Sequence, residues 1–225
     1  MNIRFPNESA DYRAARDELL KAEDALRRQV EAVAALRRTL PLGGAPPEDY
    51  AFEERGPSGV RSTRLSELFQ PGHEALFLYS YMYGPQMPEP CPLCTSFLDG
   101  LEAQAEHLGQ QISVAVVAKS PLDRLLAFTD ARGWRKLRLL SSAANTYHRD
   151  YLGETPAGGQ LPMANVFVRR DEEVRHVWGS ELLFADSDFD SRHIDLLWPL
   201  WNVLDLTPQG RGDSWYPDLA YPPKA

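Results

Sequence analysis

The sequence predicts an α/β fold: a central mixed sheet between helices, three layers deep, with a long helix added at the N-terminus. Three observations carry that prediction. Between Ala75 and Leu140, apolar runs of strand length alternate with stretches of helical period. Strand–helix–strand–helix order implies parallel pairing with both sheet faces covered. Two later runs, 164–169 and 173–178, are separated only by the turn around Arg170 to Glu172, which reads as a hairpin adding an antiparallel edge. Finally, the stretch from Ser9 to Leu40 carries one uninterrupted helical pattern.

In that first helix Ser9 can act as cap, and Asp11 sits in the first turn, where the dipole favours a carboxylate. Leu19, Leu20, Leu26, Val30, Val33 and Leu36 form its apolar stripe. Arg27, Arg28, Arg37 and Arg38 read as a solvated face, and Pro41, Gly43 and Gly44 end the helix. We divide the chain into an N-terminal helical extension, residues 1–45, and a main domain, 46–225. Within the latter, 50–54 and 60–62 read as short strands around the turn Gly56-Pro57-Ser58-Gly59. Residues 63–69 read as a short helix. A buried aromatic strand follows at 75–83, then a helix at 94–108, a strand at 112–118, a helix at 121–132 and a strand at 137–140. Ser191 is expected to cap a last helix reaching about Asp205, which Pro199 kinks or restarts. After Thr207 the chain is rich in Pro, Gly and aromatics.

Composition excludes several classes of function. Of the 225 residues, 24 are Lys or Arg and 32 are Asp or Glu, so the net charge is −8. That balance argues against nucleic-acid binding and against docking on anionic membranes. No run approaches the ~18 apolar residues of a membrane-spanning helix. Residues 1–7 do not read as a secretion signal, so the expected compartment is the cytoplasm. The chain has two cysteines, three positions apart. In a reducing compartment such a pair points to catalysis or metal binding before a structural staple.

The pair stands in Cys91-Pro92-Leu93-Cys94, after a strand and at the opening of a helix. A thiol in the first turn faces unpaired N–H groups and the positive end of the dipole, and both favour the thiolate. Two intervening residues let one helical turn bring the second sulfur beside the first. Cys91, at the loop edge, is assigned as the attacking thiol and Cys94, one turn deeper, as the resolving thiol. Pro92 suits an early helical position because it has no N–H to leave unused. Zinc would need four ligands, and His73, His107, His148, His176 and His193 offer no close histidine pair, so neither metal nor bound cofactor is expected. Pro162 precedes a strand and is expected to face the dithiol. There it would take the cis form and present the backbone of Leu161 to an incoming peptide, with an ordinary trans proline as the alternative. Leu161, Pro162 and Pro92 are therefore the expected substrate-binding residues. Tyr79, Tyr81 and Tyr83 share one strand face and read chiefly as packing. Arg211-Gly212-Asp213 reads as a chance tripeptide in a turn.

From Ala75 onward this order resembles the thioredoxin fold: strand, Cys-x-x-Cys helix, strand, helix, then Pro162, a hairpin and a closing helix. Cys91-Pro92-Leu93-Cys94 is similar to the glutaredoxin form, with proline after the first cysteine. A closer resemblance spans nearly the whole chain. Ala14-Ala15-Arg16-Asp17-Glu18-Leu19-Leu20, Tyr81-Met82-Tyr83-Gly84-Pro85 and Leu204-Asp205-Leu206-Thr207-Pro208-Gln209-Gly210-Arg211 resemble segments of a bacterial thioredoxin-like family of unknown function. That resemblance implies the fold and a dithiol–disulfide oxidoreductase class. There are two departures from the wider superfamily. Pro85 stands where thioredoxins keep a buried proton-accepting aspartate, and Pro88 stands where peroxiredoxins place a hydroxyl residue.

The expected function is thiol–disulfide exchange on a protein or small-molecule disulfide, with an external thiol as reductant. A homodimer through the N-terminal helix is a further expectation. A peroxiredoxin-like peroxidase and a non-catalytic thioredoxin-like interaction protein are the alternatives.

Overall fold

The computed structural model describes residues 4–186, 194–212 and 214–222. The chain divides into two compact units, Met1–Pro41 and Leu42–Ala225. The first is one helix, α1 (Ala10–Arg38), and it starts as the sequence predicts. Ser9 Oγ accepts the Tyr12 N–H at 3.1 Å, satisfying a donor the first turn would otherwise leave open. Arg27 reaches Glu31 at 2.6 Å and Arg28 reaches Asp24 at 2.8 Å. Arg27 and Arg28 thus meet acids one turn away on their own helix.

The second unit is built on seven strands: β1 (Ala51–Gly56), β2 (Gly59–Arg64), β3 (Ala75–Tyr81), β4 (Ser113–Ala118), β5 (Arg138–Ser141), β6 (Met163–Arg170) and β7 (Glu173–Gly179). They form one sheet in the order β2-β1-β5-β4-β3-β6-β7. β3, β4 and β5 are parallel. They are joined by α2 (Pro92–Leu108) and α3 (Leu122–Arg132). The strands advance in one direction and such crossovers are right-handed, which puts both helices on one face. Phe97 and Leu98 of α2 and Leu125 of α3 accordingly share a core with Tyr79 and Val116. The β6–β7 hairpin lies antiparallel beside β3, as expected. The β1–β2 hairpin adds the opposite edge through β1 and β5. The result is a three-layer α/β fold of the thioredoxin-like kind that the sequence implies.

Strand period sorts the core into two halves. Tyr79 and Tyr81 turn toward α2, whereas Leu76 and Leu78 turn to the other face, where Phe52, Leu65, Leu68, Tyr147 and Phe167 cover them.

One expectation is corrected, and the last helix takes one of the two forms expected of it. The helix expected at 63–69 is only a 3₁₀ turn, Leu65–Leu68, because Thr63 and Arg64 are taken into the ladder opposite Phe52 and Ala51. The last helix is broken: a 3₁₀ turn, Asp195–Leu197, precedes α5, with its first residue at Pro199 (Pro199–Leu204). Pro199 has no N–H to continue a helix but fits a fresh first turn. Before α5 the chain makes one further turn, α4 (Tyr147–Asp150), too short to show a period in the sequence. Ser191, the expected cap, and His193 lie outside the described residues, as does Asp213 of the tripeptide. Among the described residues no helix is long and apolar enough to cross a membrane.

Candidate active site

The loop after β3 carries the chain to the cysteines, and α3 clamps it. The Arg124 guanidinium donates to the carbonyls of Gly84 (3.2 Å), Pro85 (3.3 Å) and Pro88 (3.0 Å), and to that of Met87. It also lies 4.5 Å above the Tyr83 ring, a cation–π arrangement. Charge-assisted bonds to several carbonyls at once hold the loop in one path. Cys91 N–H then donates to the Met82 carbonyl at 3.0 Å, tying the helix start to the strand end.

Cys91 is itself the cap of α2. Its backbone is extended, Pro92 takes the first helical position, and Sγ accepts the Cys94 N–H at 3.5 Å. A sulfur here does what a serine oxygen does at an ordinary N-cap. Thr95 fixes the turn below: its N–H and its hydroxyl both donate to the Cys91 carbonyl, at 3.0 and 2.9 Å. Its hydroxyl also lies 2.6 Å from that of Tyr81.

The two thiols, both free, have opposite environments. Cys91 is half-buried. The hydrogen bond donated by the Cys94 thiol brings it down to about 6, aided by the N–H groups of Cys94 and Leu93, although burial opposes the shift. Cys94 is 3% exposed. Its donation to Cys91, its burial and the neighbouring Cys91 charge push it well up, against the Tyr79 hydroxyl and the Met82 N–H, which favour its thiolate. Burial and the adjacent thiols in turn hold the Tyr79 phenol protonated. The site therefore contains a half-buried, anion-prone sulfur, a proton-bearing sulfur behind it, and a buried phenol beside the second.

A cavity of about 440 Å³ opens on this pair. Tyr79, Met82, Leu93 and Pro162 line it beside both cysteines. Pro162 thus faces the dithiol as expected, but the cis expectation fails: the described residues contain no cis peptide bond. The trans form is the intrinsically favoured one, by about 0.5–1 kcal/mol. The chain reaches Pro162 with the Leu161 N–H already donated to Gly153 O at 2.9 Å. That donor is consequently not open to a peptide. Leu161 and Pro92 do not line the cavity. Pro85 is exposed and contributes only its carbonyl to Arg124. Among the described residues no group of three or more His, Cys, Asp or Glu side chains could hold a metal ion.

Sequence reasoning missed Arg124 as a clamp, the hydroxyl of Tyr79 as a partner of Cys94, and a cavity wall made by Trp198, Trp201, Arg211, Trp215 and Tyr216. The alternation of Tyr79, Tyr81 and Tyr83 was the one available signal. The wall depends on contacts more than a hundred positions apart in the chain, which no local pattern reports.

The profile of a family described as a bacterial protein of unknown function (DUF899) matches residues 3–221. No curated protein matches the chain. Among solved structures it is similar to thioredoxin peroxidase I of Plasmodium yoelii, at 17% identity and a TM-score of 0.48, over 78% of this chain and 96% of that one. It is similar to the reduced 2-Cys peroxiredoxin of Plasmodium vivax, at 16% identity and a TM-score of 0.48, over 73% and 96%. It is also similar to the exposed lipoprotein thioredoxin Etrx1 of Streptococcus pneumoniae, at 16% identity and a TM-score of 0.42, over 65% and 97%.

Proposed function

We propose that this chain, which belongs to the bacterial family of unknown function DUF899, is a thiol–disulfide oxidoreductase that cycles Cys91 and Cys94, in the reducing cytoplasm. One observation carries the reading: the Cys91 sulfur caps α2 and accepts the Cys94 N–H at 3.5 Å, with the second thiol one turn behind it. A sulfur held this way is largely anionic at neutral pH, and the thiolate is the attacking species in disulfide exchange.

The cycle follows from the two environments. The Cys91 thiolate attacks one sulfur of a substrate disulfide. The substrate S–S bond breaks, and one half leaves as a thiolate that takes the Cys94 proton. Loss of that proton frees Cys94 to attack the Cys91 sulfur, with the Tyr79 hydroxyl and Met82 N–H steadying its charge. The internal disulfide closes and the second half leaves, protonated by solvent. One disulfide and two protein thiols have become one internal disulfide and two product thiols. An external thiol returns the two electrons.

The test is oxidation of the reduced protein by hydroxyethyl disulfide, followed by thiol titration and intact mass. Wild type should lose two thiols and carry no adduct. Cys94→Ser should stop at a mixed disulfide on Cys91, and Cys91→Ser should not react. Equal reaction of the Cys91→Ser protein would refute the cycle. Peroxide reduction by the same thiolate is the rival. It predicts that hydrogen peroxide outruns every disulfide as oxidant of Cys91.

A further inference from the structure

The far wall of the cavity is built by the end of the chain, and its chemistry is unlike that of the thiols. Trp198, Trp201, Trp215 and Tyr216 supply the apolar surface. The Trp201 ring lies 5.6 Å from Trp198 and 6.1 Å from Trp215, centroid to centroid. Rings at such separations attract one another, and with planes inclined at 60° and 78° they form a continuous apolar wall whose faces and edges can flank a flat group. The volume of about 440 Å³ falls at the small end of ligand sites.

Charge on this wall is spoken for. The Arg211 guanidinium is 2.9 Å from Asp195 and 2.6 Å from Asp205, and it lies 5.2 Å from the centre of the Trp201 ring. Among the described lining residues, one cation held by two carboxylates leaves no surplus positive charge to recruit an anionic substrate. The backbone is spoken for as well. β6 is paired on both sides, by β3 and β7, and the Leu161 N–H is held by Gly153. Strand addition by an extended peptide needs a free edge, and the segment beside the dithiol does not offer one.

We propose that the substrate of this site is a small, uncharged disulfide with flat apolar arms, one arm lying against the Trp201–Trp215 wall while its sulfur meets Cys91. The proposal rests on the redox reading above and adds the substrate class to it. The exchange steps and their electron balance are those already given, with the two arms leaving as small thiols.

The experiment measures the rate at which reduced full-length protein is oxidised by four probes: dithiodipyridine, dithiobis-nitrobenzoate, hydroxyethyl disulfide and insulin. Each rate is divided by that of N-acetylcysteine with the same probe, to remove intrinsic reactivity. The neutral aromatic disulfide should lead the normalised series. Its lead over hydroxyethyl disulfide should shrink about fivefold or more in Trp215→Ala, in proportion to one lost ring contact, and return in Trp215→Phe. Trp215 is 45% exposed, so its truncation leaves the core intact. Equal normalised rates, a lead for insulin or for the anionic probe, or a lead untouched by Trp215→Ala would each overturn the proposal while leaving the dithiol cycle standing. Failure of every disulfide to oxidise Cys91, or faster oxidation by hydrogen peroxide than by any disulfide, would instead strike the underlying redox reading.

Discussion

The two faces of the sheet bury similar residues to different ends. On the α2 face, Tyr79 and Tyr81 lie against Cys94, Phe97 and Trp134, and the layer opens into the cavity. On the opposite face, Tyr50 and Tyr147 pack edge-on at 5.5 Å among Phe52, Leu76 and Leu78. Both faces hide phenols and hydroxyls, but these meet different partners. Tyr147 accepts from the Asn165 amide at 3.3 Å, Tyr50 donates to Asp150 at 2.9 Å, and Ser142 Oγ lies 2.7 Å from His148 Nδ1. Tyr79 instead lies beside a sulfur, and its hydroxyl favours that sulfur's thiolate. A buried hydroxyl becomes chemically useful here through what it touches and through a route to solvent, not through burial itself.

That contrast can be broken in stages. The largest effect belongs to Cys91→Ser, which should slow oxidation by hydroxyethyl disulfide about a thousandfold or more, because the nucleophilic thiolate is gone. Next comes the sealed face. Leu78 is fully buried, so Leu78→Ala should cost about 2–5 kcal/mol in urea unfolding. The pH at which iodoacetamide half-labels Cys91 should stay near 6 in that variant, since the two faces do different work. Tyr79→Phe removes a hydrogen bond to a developing charge, worth about 1.5–3 kcal/mol. Closure of the internal disulfide should slow accordingly, and rapid quenching with mass analysis should show the mixed disulfide on Cys91 lasting longer.

The remaining effects are in pH dependence. Burial, with Lys119 nearby, lowers His148 from 6.5 to about 3, so the folded protein keeps it neutral while the unfolded chain can take a proton. Its contribution is fully present above 6.5 and is lost as the pH falls from there toward 3. Cys91 acts in a higher window. Its folded value is lowered, so reduced protein gains stability as the pH rises from about 6 toward the ordinary thiol range. Unfolding midpoints against pH should show both slopes. His148→Gln should flatten only the acidic one, and Cys91→Ser only the other.

Much of the α2 face was legible in the sequence. Continuous apolar runs placed β3 and β4, and the position of Cys91-Pro92-Leu93-Cys94 after a strand placed the sulfurs at a helix start. The β1–β2 hairpin followed from its turn residues. What escaped has a common cause. Arg124 meets the loop at Gly84 and Pro88, and Trp215 meets the dithiol cavity, through the tertiary fold alone. Thr63 and Arg64 joined a ladder whose partner strand outweighed their local pattern.

The capping role of the Cys91 sulfur has a thermodynamic consequence. Ring closure with Cys94 would take away the negative charge that the opening turn of α2 is arranged to hold. The fold therefore lowers the free energy of the reduced pair relative to the oxidised one, which shifts the standard potential of the couple upward. A pair of this kind is readily returned to its dithiol form by an external thiol, the state from which the proposed cycle starts.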